Sequence, residues 1–163
     1  MRISVVVVFS LFLCITLSAA QEKISSQWKC EVMPADQHTI AVGDQEGHSY
    51  SLAQGKCTAE KGSMGDAKEQ EGTFTEVADM TTSTAQNHGV FVDTLAGGDK
   101  VFYHYNGTQT WKDGKMQTGS NKWTLAGGTG KFKGVKGEGG CKGQGNADGS
   151  SVWDCDGTYS TAK

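Results

Sequence analysis

Proline occurs once in the 163 residues, at Pro34, and apolar residues almost nowhere recur at helical spacing. That second absence excludes a helical core. No two cysteines stand as close as C-x2-C, which removes the usual zinc motifs. The four histidines, His38, His48, His88 and His104, form neither H-x-H nor H-E-x-x-H, so no metal site is implied. No large charge of one sign is present either. The net charge is −3, and −4 without residues 1–20, which argues against nucleic acid or anionic lipid as a partner.

Nucleotide motifs are also missing. A phosphate loop ending at Gly130-Lys131 would need glycine where Leu125 stands and a hydroxyl where Phe132 stands. The dinucleotide pattern starting at Gly128 fails at Lys133. A serine nucleophile elbow at "KGSMG" fails because Lys61 takes the first glycine position. Nothing selects a catalytic pair among the 18 acids, and no cofactor is implied.

What is there begins with an export signal. Arg2 precedes an apolar run from Val5 to Leu17, and Ser18-Ala19-Ala20 offers small residues for cleavage. The run is short for a membrane span and no second one follows. The expected mature chain is one domain over residues 21–163, secreted or periplasmic, with Cys14 lost with the signal.

Cys30, Cys57, Cys141 and Cys155 then remain, an even count that reads as two disulfides in an oxidising compartment. Three pairings are open. If Cys141 faces Cys155 across a hairpin, its midpoint falls in Asn146-Ala147-Asp148-Gly149, strong turn chemistry, and Cys30 is left for Cys57.

Short alternating runs, split by Gly, Asn and Asp, predict about eight strands. Trp28, Cys30 and Val32 share one face, as do His48, Tyr50 and Leu52. So do Phe74, Glu76, Ala78 and Met80, then Phe91, Asp93 and Leu95, and then Val101, Tyr103 and Tyr105. Trp123 and Leu125 alternate with Thr124, and Trp153, Cys155 and Tyr159 face together. Residues 35–47 read as a long connection and residues 61–70 as a mobile polar loop. The pattern predicts an all-β antiparallel barrel or sandwich, because closure removes exposed edges.

The glycines near the end turn a corner. Gly127, Gly128 and Gly130 permit positive φ where the Trp123 strand ends, and Phe132 is the apolar residue available to plug the barrel base. Gly137, Gly139 and Gly143 then leave one strand face bare, so that rings from a neighbour can lie flat on the backbone.

The stretch "GGTGKFKGVKGEG" resembles the glycine-rich segment of the allene oxide cyclase and dirigent superfamily. With the tryptophan strand before it and the acidic W/Y strand after it, the segment is more similar to small secreted bacterial proteins. The resemblance implies a single eight-stranded antiparallel, calycin-like β-barrel, with a lumen for a small apolar molecule. It assigns no catalytic residue and no oligomeric state.

Asp154 and Asp156, with Asp148, raise an irregular calcium site against a solvated strand face, while an EF-hand from Asp154 would overrun Lys163. Asn106-Gly107-Thr108 is a glycosylation sequon in a turn-like stretch. The expected ligand-lining residues are the amphipathic rings of Trp28, Tyr50, Tyr103, Tyr105 and Trp123. The function expected is non-catalytic binding of a small apolar or amphipathic molecule, or of an envelope partner. The alternatives are a lumen isomerase or cyclase, which Glu31 or His48 beside Tyr50 would support, and a packed structural or adhesive module.

Overall fold

A computed structural model describes residues 21–161; the expected signal segment, residues 1–20, lies outside them. The strands are β1 (Glu22–Ala41), β2 (Ser49–Lys61), the two-residue β3 (Ser63–Met64), β4 (Ala67–Met80), β5 (Thr84–Leu95), β6 (Lys100–Lys112), β7 (Lys115–Gly128), β8 (Lys136–Gly145) and β9 (Ser151–Ser160). Every pairing is antiparallel, and β2 pairs with β4 while β1 pairs with both β2 and β9. Among the described residues eight long strands therefore close on themselves, leaving only β3 at an edge. Closure is what lets alternating sequences bury one face without an exposed sheet edge.

Turns follow local chemistry. Asp113 and Gly114 both take positive φ, 52° and 72°, and join β6 to β7 as a two-residue hairpin loop. In the β8–β9 turn, Asn146 N–H donates to Ser150 O at 2.7 Å and the Asp148 carboxylate accepts from Ser150 N–H at 3.0 Å. At the corner after β7, Gly127 and Gly130 have φ of 139° and 50°, whereas Gly128 does not need positive φ. A short 3-10 turn, Gly130–Phe132, then delivers Phe132 into the core at 3% exposure. It packs with Leu95, Val101, Val135, Met64 and Tyr159, which seal one end of the barrel.

Two stretches depart from expectation. Residues 35–41 are not connection but the far part of β1, and only the short segment after Ala41 links it to β2. The sequence hid this because the ladder breaks between Val32 and Gln37, where Pro34 supplies no N–H, and then resumes with Gln37 opposite Ala53. Residues 61–70 are likewise not a polar loop. They form the β3–β4 hairpin, whose Met64 and Ala67 enter the core.

The disulfides join Cys30 to Cys57 and Cys141 to Cys155, each across a directly paired position of neighbouring strands. All four cysteines point inward and line the barrel interior.

Candidate functional site

The end opposite Phe132 is open. Val32, Gln37, Met80, Trp111, Met116 and Gly149 ring a cavity of about 170 Å³ that runs down the barrel axis. An apolar cavity of roughly 150 Å³ holds a benzene-sized guest, so the space suits a single ring.

Four aromatic rings form a continuous wall. Trp28 meets Phe91 edge-on with centroids 5.0 Å apart, Phe91 lies 5.8 Å from Tyr103, and Tyr103 meets Trp123 edge-on at 5.3 Å. These are the offset and T-shaped geometries that ring quadrupoles favour. Space for the Trp123 indole comes from Gly139 and Gly157, directly paired on β8 and β9, since a Cβ on either would overlap its ring. Gly143 does the same for Trp153. The bare glycine face expected near residue 140 is thus the surface on which lumen indoles rest.

Polar groups occupy two levels. Near the middle, the Glu76 carboxylate Oε2 accepts from Tyr105 O–H at 3.0 Å and from Asn87 Nδ2 at 2.8 Å. Burial raises Glu76 above the usual carboxylate range, and the two donated hydrogen bonds oppose that rise. Asn87 and Asn121 both sit opposite Gly107, on β5 and β7, with their Oδ1 atoms buried and without hydrogen-bond partners among the described residues.

Deeper down, Glu69 Oε1 accepts from Ser26 Oγ at 2.9 Å. Burial pushes the Glu69 carboxyl up to about 7 despite that hydrogen bond. Asp93, fully buried, has both oxygens unpartnered; burial first, then the charge of Glu69, push it up to about 8. A bulge in β4 between Glu69 and Glu71 makes this proximity. Without the extra residue, Glu69 would share the outward parity of Glu71 and Thr73.

Of the five rings expected to line a ligand, the structure places Trp28, Tyr103, Tyr105 and Trp123 on the lumen wall. Tyr50 is corrected. It is 49% exposed on the outer face, because the inward parity of β2 belongs to Ser51, Ala53 and Cys57. His48 is outside too, its Nδ1 2.5 Å from Asp44 and its Nε2 3.0 Å from Asp79, so it cannot join Tyr50 in a lumen site. Glu31 lies exposed at the mouth. Asp154 and Asp156 are exposed on the outer face of β9, with Asp154 accepting from Gln27. Asn106 is an exposed mid-strand residue of β6 and not in a turn.

Glu69, Asp93, Asn87 and Asn121 were not singled out by sequence. For Asp93 a signal existed, an acid alternating with Phe91 and Leu95 on an apolar face. Glu69 gave none, since its inward turn depends on the bulge.

No protein-family model matches the chain, and no curated protein sequence matches it. In three dimensions it is similar to a pterocarpan synthase dirigent protein, GePTS1, with a TM-score of 0.52, 10% identity, and coverage of 97% of this chain and 98% of the other. A second such protein, PsPTS1, aligns with a TM-score of 0.45 and 13% identity over 88% of this chain and 97% of its own. The resemblance drawn from the glycine segment therefore holds for the eight-stranded, dirigent-like barrel and is not specific to bacterial proteins. The chain is a disulfide-stabilised β-barrel with a dirigent-like fold.

Proposed function

We propose that the barrel is an exported binding protein that holds a small amphipathic molecule, about one ring in size, in its lumen. The observation that carries this reading is the open cavity whose aromatic wall, Trp28, Phe91, Tyr103 and Trp123, faces buried polar groups of Glu76, Asn87 and Asn121. A barrel whose interior only needs filling gains nothing from such orphaned acceptors, which cost free energy unless something donates to them. The test is a titration of 15N-labelled protein with benzyl alcohol, following the four indole N–H signals. Occupancy of the lumen shifts Trp28 and Trp123 saturably; a spectrum unchanged up to the solubility limit contradicts the reading.

One observation supports a second reading, isomerisation or cyclisation of an apolar substrate. Glu69 lines the lumen floor with its carboxyl held near neutral pKa, with the buried Asp93 behind it, and a general acid there could give up a proton and recover it. Turnover that is abolished in Glu69→Gln while ligand affinity persists would favour this reading over simple binding.

A further inference from the structure

The lumen has a one-sided charge. Glu31 stands at its mouth, Glu76 midway and Glu69 at its floor, and among the described residues no lysine, arginine or histidine lines it. The buried unpartnered atoms are one-sided as well. Of the six buried side-chain atoms without partners among the described residues, five are oxygens and only Trp111 Nε1 is a donor. Three of those oxygens belong to Glu69 and Asp93, which can shed their charge by keeping a proton. The amide oxygens of Asn87 and Asn121 have no such recourse.

Asn87 cannot escape by turning its amide over, because its Nδ2 already donates to Glu76. It is 7% exposed, lines the cavity, and aims its free Oδ1 away from that bond. Gly107, between the two asparagines in the sheet, adds no side chain to fill the gap. The rings of Trp28, Phe91, Tyr103 and Trp123 line the same cavity, and aromatic faces attract cations.

We propose that the ligand carries a protonated amine on an apolar ring or short chain, and that its ammonium group is received by Asn87, Asn121 and Glu76. An ammonium has three donors and no acceptor, which matches two orphaned amide oxygens and a carboxylate. A carboxylate ligand meets only like charge there. This inference rests on the lumen reading above and specifies the chemistry of its occupant.

Benzylamine, benzyl alcohol and benzoate are matched in size and differ in charge, so they separate the two claims. At neutral pH, indole N–H titrations are expected to give benzylamine roughly tenfold tighter binding than benzyl alcohol, and no saturable shift with benzoate. Alcohol binding as tightly as amine, or benzoate binding tightest, overturns the amine inference and leaves the lumen reading standing. No saturable response to any of the three overturns both. Glu76→Gln keeps an acceptor for Tyr105 and Asn87 and removes the charge; it is expected to bring amine affinity down to that of the alcohol measured in the same variant. Asn121→Ala, which removes the second amide oxygen, is the companion variant should Glu76→Gln fold poorly. An amine preference untouched in the folded variant, or in both, overturns the placement of the head group.

Discussion

The indole of Trp123 lies against Gly139 and Gly157, one residue from each of two paired strands, with no Cβ between ring and backbone. A strand pair that gives up two side chains lets a third strand's largest residue lie flat, and that ring becomes part of the lumen wall. Gly139→Val would force overlap with both Trp123 and the Asp156 carbonyl. The expected cost is about 1–3 kcal/mol, with altered Trp123 emission, as overpacked cores show. A denaturant midpoint equal to that of the wild type would mean the ring does not occupy this position.

The buried acids fix how stability depends on pH. Burial holds Glu69 near 7 and Asp93 near 8, well above their ordinary values of 4.5 and 3.8. Between those limits the folded chain binds more protons than the unfolded chain, so stability falls as pH rises. The contribution is full below about pH 4 and lost by roughly pH 8 to 9, a window read directly from the two raised carboxyls. Melting temperature is therefore expected to decline from pH 5 to pH 9, and Asp93→Asn to flatten that decline. A melting temperature that rises across this range would show that the two acids are ionised partners of something else.

Reduction should act on the two bridges unequally. Cys30 and Cys57 are 8% and 3% exposed, whereas Cys141 and Cys155 are only partly buried. Dithiothreitol under native conditions is expected to open Cys141–Cys155 first, which alkylation and peptide mass mapping can follow. Loss of each bridge should lower unfolding free energy by about 2–5 kcal/mol. Equal rates of labelling at all four cysteines would indicate global opening in place of local access.

Phe132 tests the sealed end. Its ring is buried among Leu95, Val101 and Val135, and Phe132→Ala should destabilise by about 3–5 kcal/mol without changing ligand selectivity at the far end. Urea denaturation with and without benzylamine separates the two effects. A negligible loss of stability would put the ring outside the core.

Much of this architecture was legible in alternation. Phe74 with Glu76, Val101 with Tyr103, and Trp123 with Leu125 declared inward faces because strand side chains repeat every two residues. The hairpin spacing of Cys141 and Cys155, and the glycine corner before Phe132, were local signals of the same kind. Sequence could not say which face of a polar-apolar strand turns inward, and so Tyr50 was assigned to a lumen it does not reach. Its strand carries only small residues inside, Ser51, Ala53 and Gly55, while Tyr50 and Leu52 are the exposed ones. Bulges were equally silent. The break after Val32 made the last third of β1 read as connection, and the bulge beside Glu69 moved an acid from solvent into the core. Both depend on partner strands far away in sequence.

The central claim is that the lumen is built to be occupied. Native mass spectrometry of the protein purified from its own host, with the same sample then denatured without reduction, tests it most directly. The expected result is a native mass above that of the chain by one small, amine-bearing molecule, which leaves on denaturation while both disulfides remain. A bare chain under native conditions that also fails to take up added benzylamine would contradict it.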